Sequence, residues 1–296
     1  MASKIATKKA APKSRAIPKP KARMHYTEPY IVDPVHPVTV NVIGIGGTGS
    51  QVLNSLARMH SALKALGHPG LFVRAIDPDK VTAANMGRQL FSPADLGEYK
   101  CTVLIGRINR FFATDWQGMP TSYGASSTIP AANITISCVD TGKARKDIKA
   151  ALTAAAAKQR SGREQNQWGQ AIRTPGIEPY DVPYYWMDYG NMMDRGQIVI
   201  GTLGKIAQPK KSQFACLDEL PTIDHYHPDI LIDNKNDDQG PSCSLAEALA
   251  KQDLFINTNL ANMGLGLLWK MFRELRIQYH GLYLNLETMA VNPIKV

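Results

Sequence analysis

The clearest pattern near the start of the chain is a β-branched run, followed by glycines and then by residues with helical spacing. Residues 38–43 are mostly β-branched and apolar, which is typical of a strand buried on both faces. Within residues 50–66, apolar side chains recur three or four positions apart, at Val52, Leu53, Leu56, Met59 and Leu63. This spacing predicts an amphipathic helix directly after a glycine-rich turn.

The same alternation continues along the chain. Further strands are predicted at residues 71–76, 134–139, 184–189 and 197–201, and two strand-like runs separated near Leu286 end the chain. Helices are predicted at residues 101–112, 143–157 and 245–275, the last one broken near Asn257 or Gly264. Because alternating strands and helices favour a parallel sheet, the sequence predicts an α/β fold. We expect a Rossmann-like, doubly wound, mostly parallel sheet with helices on both faces.

Basic charge is concentrated at the start of the chain. Of 34 Lys and Arg residues, eight precede Tyr26, whereas the first acidic residue is Glu28. The net charge of +9 therefore leaves about +1 for the remainder. Since the segment is rich in Ala, Pro, Lys and Ser, we expect a disordered basic tail at residues 1–25. Such a tail would attract nucleic acid or an acidic partner, solubilise the protein, or act as a targeting peptide.

The rest of the chain is predicted to be one domain. Its length, residues 26–296, suits a single large α/β domain. Polar, punctuated sequence near residues 160–183 and 205–241 indicates two loop insertions.

Composition excludes several classes of protein. No apolar run approaches the roughly 20 residues that span a bilayer, and no apolar core follows the basic N-terminus, as a secretory signal requires. The four cysteines include no Cys-x-x-Cys pair, so we expect neither a disulfide framework nor a structural zinc site. These features favour a cytoplasmic protein with no membrane partner.

The glycine-rich turn carries the first candidate chemistry. Gly44, Gly46, Gly47 and Gly49 lie between the first predicted strand and helix. Glycines allow the backbone to approach a ligand closely, and a helix N-terminus attracts phosphate. Asp77, at the end of the next strand, is placed to bind ribose hydroxyls. This pattern alone does not choose between NAD, FAD and ATP, and a purely structural turn also fits it.

Three further motifs follow in order and point to one family. They are Asp77-x-Asp79 leading to Asn85-x-x-Arg88-Gln89, then Asp95-x-Gly97-x-x-Lys100, then Cys138-x-Asp140. Together they resemble the E1-like ThiF/MoeB/HesA superfamily, over residues 39–145 and again over residues 241–272. More narrowly, the chain resembles the ThiF family protein of the plasmid-associated PRTRC gene system, whose neighbours include a predicted ubiquitin-like protein.

The resemblance implies an activity and a set of site residues. The activity would be ATP-dependent adenylation of the C-terminal carboxylate of a small ubiquitin-like protein ending in glycine, by a homodimer. Arg88 and Lys100 would hold the phosphates, and Asp140 would bind Mg²⁺. The nucleotide would further contact Asp77, Asp79, Asn85 and Gln89. Surface salt bridges for Arg88 and Lys100, and a helix cap for Asp140, are the structural alternatives.

A thiol is a further candidate. Cys243 precedes a predicted helix, and Ser244 and Glu247 have capping-box spacing. A thiol at a helix N-terminus tends toward a lower pKa, and ThiF-like enzymes have a reactive cysteine at the equivalent place. Thioester formation on Cys243 and an unreactive loop cysteine both fit.

The chain also departs from the family pattern. The zinc-binding cysteine pairs of many relatives are missing, and no N-terminal segment resembles the one that supplies an arginine to the partner subunit's site. Arg15 and Arg23 remain candidates for that role.

Three other functions stay open. A nicotinamide or flavin oxidoreductase uses the same glycine turn but does not need Arg88 and Lys100. A non-catalytic, nucleotide-bound assembly protein of a plasmid-type system would use the basic tail to bind DNA. A small-molecule or RNA-linked carboxylate is a further possible target of activation.

Overall fold

Two sheets and seven α-helices are present in the described part of the chain. The computed structural model describes residues 21–124, 127–162, 181–232 and 245–296. The strands are β1 (Arg23–Tyr26), β2 (Val38–Ile43), β3 (Leu71–Ile76), β4 (Gln117–Met119), β5 (Ile134–Ser137), β6 (Tyr185–Asn191), β7 (Arg195–Thr202), β8 (Ala215–Cys216), β9 (Arg276–Ile277), β10 (Tyr279–Asn285) and β11 (Ala290–Lys295). The helices are α1 (Pro29–Val32), α2 (Gly47–Ala65), α3 (Lys100–Phe112), α4 (Gly142–Gly162), α5 (Ile223–Tyr226), α6 (Leu245–Lys251) and α7 (Ile256–Glu274). Short 3₁₀ turns occupy Ala83–Asn85, Pro93–Asp95 and Pro228–Leu231.

The larger sheet has eight strands in the order β11-β10-β7-β6-β5-β2-β3-β4. Five neighbouring strands, in the sheet order β4-β3-β2-β5-β6, pair in parallel. Strands β7, β10 and β11 extend the sheet with antiparallel pairing. The predicted mostly parallel α/β sheet is therefore confirmed. Ile43 pairs with both Ile76 and Ser137, so β2, β3 and β5 end at the same level.

Helices cover both faces of this sheet, as predicted. On one face, Val38, Val40 and Val42 are fully buried in a core formed with α2, α3 and α7. On the other face, Ile43 and Trp186 pack with Ile148 of α4. Because side chains alternate along a strand, the three valines of β2 face one core and Ile43 faces the other.

Several predicted boundaries change. The helix predicted at residues 245–275 is broken at residues 252–255, between α6 and α7, close to the predicted break at Asn257. Helix α4 reaches Gly162, inside the first predicted insertion, and residues 163–180 lie outside the described residues. The second predicted insertion contains β8, α5 and a 3₁₀ turn, so it is partly regular rather than a loop.

The predicted tail boundary at residue 25 lies too late. Strand β1 is the centre of a small sheet in the order β8-β1-β9, and His25 is fully buried. Its Nδ1 donates to the Leu217 carbonyl oxygen at 2.8 Å, and its Nε2 accepts from the Tyr185 hydroxyl at 3.0 Å. Strand β1 is therefore part of the folded domain, and residues 1–20 lie outside the described part.

No helix in the described ranges combines the length and the apolar character that crossing a bilayer requires.

Burial of two histidines predicts that acid destabilises the fold. Desolvation lowers the pKa of His25 and of His280 below 6.5. Because the unfolded rings bind protons near pH 6.5 and the folded rings do not, the free energy of unfolding should fall as the pH drops through 6.5. The expected slope is up to about 1.4 kcal/mol per pH unit for each ring. Urea unfolding at about pH 7.5 and pH 5.5 measures it.

Replacing His25 by Phe is the matched variant. His25→Phe should destabilise at neutral pH by about 1–3 kcal/mol, because the Tyr185 hydroxyl and the Leu217 carbonyl lose a buried partner. Its further loss between the two pH values should be smaller than that of the wild type. An equal loss would show that His25 does not carry the acid sensitivity.

Candidate functional site

A polar cleft of about 700 Å³ opens where β2, β3 and β5 end. Ligands of open α/β sheets bind at this carboxyl edge. Most of the site residues predicted from the sequence line the cleft: Gly44, Gly46, Gly47, Asp77, Asp79, Asn85, Arg88, Gln89, Lys100 and Asp140. Residues that are far apart in sequence are thus brought together because parallel strands end at a common edge.

The glycine loop connects β2 to α2 and offers an anion-binding end. Helix α2 begins at Gly47, and Gly46, Gly47 and Thr48 line the cleft. The free N–H groups and positive dipole end of a 19-residue helix therefore face the cleft. Gly49 differs from its predicted role, because it does not line the cleft. A Cβ at Gly49 would lie 1.9 Å from the Gly44 carbonyl oxygen, so this glycine serves the close packing of α2 on the loop.

Asp77 shapes the loop with a buried carboxylate. Its side chain accepts hydrogen bonds from the backbone N–H of Ile45 at 2.5 Å and of Asp79 at 2.7 Å. Burial raises the pKa of Asp77, and the nearby Lys100 ammonium and the two N–H donors oppose that rise. Each carboxylate oxygen keeps one further acceptor position, so the predicted ribose contact is compatible with this structural role and remains a prediction.

Lys100 is held at the wall of the cleft by Asp79. Its Nζ lies 2.9 Å from Asp79 Oδ2, and its backbone N–H donates to the Asp79 carbonyl oxygen. The Lys100 side chain is 9% exposed, whereas that of Asp79 is 65% exposed. A phosphate that binds Lys100 would therefore compete with a solvated carboxylate.

Asn85 and Gln89 flank Arg88 on the segment between β3 and α3. Asn85 Oδ1 accepts from the Thr82 backbone N–H at 2.9 Å, which caps the 3₁₀ turn. Gln89 is 7% exposed, and its Oε1 has no hydrogen-bond partner among the described residues. An unpaired buried acceptor is costly, so this amide is a candidate ligand contact.

Arg88 projects into the cleft without a carboxylate partner among the described residues. Its Nη1 donates to Gln252 Oε1 at 2.5 Å, and its buried Nε has no partner in the described part of the chain. Burial lowers the pKa of the guanidinium, although arginine keeps its charge in proteins. Arg88 therefore presents a positive charge without a carboxylate partner in the same cleft as the α2 N-terminus.

Asp140 follows β5 on a loop fixed by a buried ion pair. Arg145 Nε of α4 lies 3.3 Å from Asp188 Oδ2, and Ser137 Oγ lies 2.5 Å from Asp188 Oδ1. Asp140 itself is exposed to the cleft. Among the described residues, no group of three or more His, Cys, Asp or Glu is placed to hold a metal ion. A single carboxylate still fits Mg²⁺, which binds through one or two carboxylates together with substrate phosphates and water.

The predicted nucleophile Cys243 lies outside the described residues. Burial raises the pKa of the Cys101 and Cys138 thiols, which makes both poor thiolate nucleophiles. Cys138 lines the cleft directly after β5, so its role there is packing rather than covalent chemistry.

Further polar residues of the cleft were not predicted as site residues. They are Thr48, Thr82, Thr121, Ser122, Tyr123, Thr141, Lys143, Asp147, Asn191, Lys251, Gln252 and Asn257. For Gln252 and Asn257, the only signal in the sequence was the predicted helix break near Asn257. Such a break places polar side chains at the start of α7.

A second cavity of about 520 Å³ lies between α2 and α3. It is lined by Ser50, Asn54, Leu90, Leu104, Arg107, Ile108, Arg110, Phe111 and Phe112. None of the predicted site residues lies there, so the chemistry points to the polar cleft.

Similar folds occur in solved structures. Selenomethionine PaaA aligns with a TM-score of 0.53 and 13% identity, over 88% of this chain and 64% of that one. E. coli MccB aligns with a TM-score of 0.51 and 14% identity over 90% of this chain, and the MccB structure with MccA-N7isoASN with 0.50 and 15% over 87%. In both cases, this chain spans 64% of the length of MccB. At such identities the likeness shows the fold.

The family itself is shown by the sequence. No curated protein matches the chain at a significant level. The ThiF family profile, however, matches residues 33–250, which include the glycine loop, Asp77, Arg88, Lys100 and Asp140. The chain therefore belongs to the ThiF family.

Proposed function

We propose that the cleft binds Mg-ATP and adenylates a carboxylate, and that this carboxylate is the C-terminus of a small ubiquitin-like protein ending in glycine. One observation carries the proposal. Arg88, Lys100 and the N-terminus of α2 face the same cleft as Asp140. Two cations, a helix dipole and one exposed carboxylate form a set that suits a triphosphate with its metal ion.

The chemistry needs positive charge more than acid–base groups. A carboxylate oxygen attacks the α-phosphorus, the bond from that phosphorus to the bridging oxygen breaks, and pyrophosphate leaves. Both the nucleophile and the leaving group are anions, so cations and N–H donors stabilise the transition state. Arg88 would hold the phosphates through paired N–H donors, and Lys100 would do so as a point charge.

Asp140 would hold the magnesium ion, and Asp147 is a further carboxylate that lines the same cleft. When bound, Mg²⁺ would neutralise phosphate charge and stabilise the pyrophosphate leaving group. Asp140 would thereby orient the polyphosphate relative to the α2 N-terminus.

The substrate and the assembly rest on the sequence resemblance. The motif order from Asp77 to Asp140 supports a ubiquitin-like substrate with a terminal glycine, a homodimer, and a PRTRC-type context. The basic residues before Tyr26 would add an electrostatic contact to nucleic acid or to an acidic partner. An oxidoreductase is disfavoured because a dinucleotide does not need the uncompensated charge of Arg88 in the same cleft as Lys100.

Arg88→Ala should abolish ATP–pyrophosphate exchange. Purified protein receives Mg-ATP, labelled pyrophosphate and a ubiquitin-like protein ending in glycine. We expect exchange that depends on this partner, and a fall of at least about 10²-fold in the variant, because a donor aimed at developing charge is lost.

Arg58→Ala is the matched control, since Arg58 is an exposed residue of α2 that does not line the cleft. Its exchange should equal that of the wild type. ATP binding without exchange for any carboxylate partner would favour a nucleotide-bound assembly protein. Binding of NAD or FAD in preference to ATP would favour an oxidoreductase.

Asp140→Asn tests the metal contact. Removing this carboxylate should raise the Mg²⁺ concentration for half-maximal exchange by about tenfold or more, while adenosine binding stays unchanged. Asp115→Asn changes an exposed aspartate outside the cleft and should leave the Mg²⁺ dependence as it is. An unchanged Mg²⁺ dependence in Asp140→Asn would remove Asp140 from the metal site.

Cys243→Ala separates adenylation from thioester formation. In a thioester step, the Cys243 sulfur attacks the acyl carbon, a C–S bond forms, and AMP leaves as the C–O bond breaks. We expect the wild type to form a thiol-sensitive adduct with the partner, seen on non-reducing gels. Cys243→Ala should lose the adduct and keep exchange, whereas Cys216→Ala should keep both. Adduct formation by Cys243→Ala would exclude this cysteine as the acceptor.

A further inference from the structure

A chain of side-chain hydrogen bonds links the glycine loop to Arg88 through the start of α7. Asn257 Oδ1 accepts from Thr48 Oγ1 at 2.8 Å and from Asn191 Nδ2 at 2.9 Å. Asn257 Nδ2 donates to Gln252 Oε1 at 2.9 Å. The same Gln252 oxygen accepts from Arg88 Nη1 at 2.5 Å. One path therefore connects the α2 N-terminus with the guanidinium across the cleft.

Asn257 is the fixed point of this path. It is 2% exposed and lies in the first turn of α7, a helix whose buried face packs on α2 and the central sheet. A Cβ at Gly47 would lie 2.6 Å from Asn257 Nδ2, so the glycine allows this close approach. Contacts to α2 and to the end of β6 occupy both acceptor positions of Asn257 Oδ1, and the contact to Gln252 uses one of its two N–H donors. These three hydrogen bonds fix the orientation of the amide.

The orientation of the Gln252 amide is also determined. Its Oε1 faces two donors, the Arg88 guanidinium and Asn257 Nδ2. A flipped amide would set N–H groups against both donors. Gln252 therefore presents its oxygen to Arg88 and is the side chain to which Arg88 hydrogen-bonds among the described residues.

A neutral acceptor has a specific electrostatic consequence here. An amide oxygen orients a guanidinium without cancelling its charge, whereas a carboxylate at the same place would form an ion pair with it. Lys100 provides the contrast within the same cleft, because it is paired with the carboxylate of Asp79. The charge of Arg88 thus remains available to an anion at the α2 N-terminus.

We propose that Gln252, held by Asn257, is a positioning residue that aims Arg88 at the nucleotide phosphates, and that a neutral side chain is required at position 252. This inference rests on the proposed binding of ATP and adds to it a link between α7 and the phosphate site. It predicts that the charge at position 252, rather than its shape, governs phosphate affinity.

The test uses Gln252→Glu, which has nearly the same shape and still accepts both hydrogen bonds. Calorimetry measures the binding of Mg-ATP and of adenosine, which lacks phosphates. We expect Mg-ATP to bind about tenfold more weakly or worse, with adenosine unchanged. If Gln252 were only structural, Gln252→Glu would bind Mg-ATP as the wild type does, and that result would overturn the proposal.

Three comparisons complete the design. Gln278→Glu adds the same charge at an exposed position outside the cleft and should not weaken Mg-ATP binding. In an Arg88→Ala background, Gln252→Glu should cause little further loss, because the pair acts as a unit. Gln252→Ala should weaken Mg-ATP by a smaller factor than Gln252→Glu, and it serves if the glutamate variant does not fold. The proposal would be overturned if Gln252→Glu weakened Mg-ATP binding by the same factor in the Arg88→Ala background as in the wild type. It would also be overturned if Gln252→Glu weakened adenosine binding as much as Mg-ATP binding.

Failure of the proposed function gives a different result. Wild type that binds Mg-ATP but shows no exchange with any partner would overturn adenylation, while the effect at position 252 would still support the positioning role. Wild type that exchanges pyrophosphate, with Gln252→Glu unaltered in Mg-ATP affinity, would overturn only the positioning role.

Discussion

The site depends on buried carboxylates that fix the loops at the carboxyl ends of the parallel strands. Asp77, 4% exposed, binds the backbone N–H groups of Ile45 and Asp79. Asp188, 1% exposed, pairs with Arg145 and accepts a hydrogen bond from Ser137. Burial raises the pKa of both carboxyls, and Lys100 and Arg145 respectively oppose that rise. Their hydrogen bonds to the charged form hold the glycine loop and the Asp140 loop in place.

Lys100 and Arg88 differ in the charge of the side chain to which each is hydrogen-bonded in the cleft. Lys100 is already paired with Asp79, so an incoming phosphate must replace or share that partner. Arg88 is bonded to a neutral amide, and its charge is not cancelled. A guanidinium also offers paired donors to a phosphate, which an ammonium does not. Arg88 is therefore the residue whose removal distinguishes phosphate chemistry from a purely structural nucleotide site.

Much of the fold could be predicted because its information is local. The apolar run of β2, the spacing in α2 and the acid after β3 are readable over a few residues, and parallel strand ends bring the motif residues together. Non-local pairing could not be predicted in the same way. His25 is buried only through Leu217 and Tyr185, so the polar sequence of β1 resembled the end of a tail.

The candidate site shows the same division. The spaced motifs identified Arg88, Lys100 and Asp140, but nothing in the sequence pairs Thr48 with Asn257, which lie 209 residues apart. The packing role of Gly49 could not be predicted either, because a glycine needed for packing looks the same in the sequence as one that approaches a ligand. The residues proposed to position the site are found only through tertiary contacts, whereas the candidate reaction residues are found through motifs.

In the proposed reaction, a carboxylate oxygen bonds to the α-phosphorus of ATP. The direct measurement labels the terminal carboxylate of the ubiquitin-like partner with ¹⁸O, adds Mg-ATP, and releases the acyl group with hydroxylamine. We expect AMP that carries one ¹⁸O atom, because the carboxylate oxygen remains on phosphorus when the acyl C–O bond breaks. Unlabelled AMP, or ADP and phosphate in place of AMP and pyrophosphate, would contradict it.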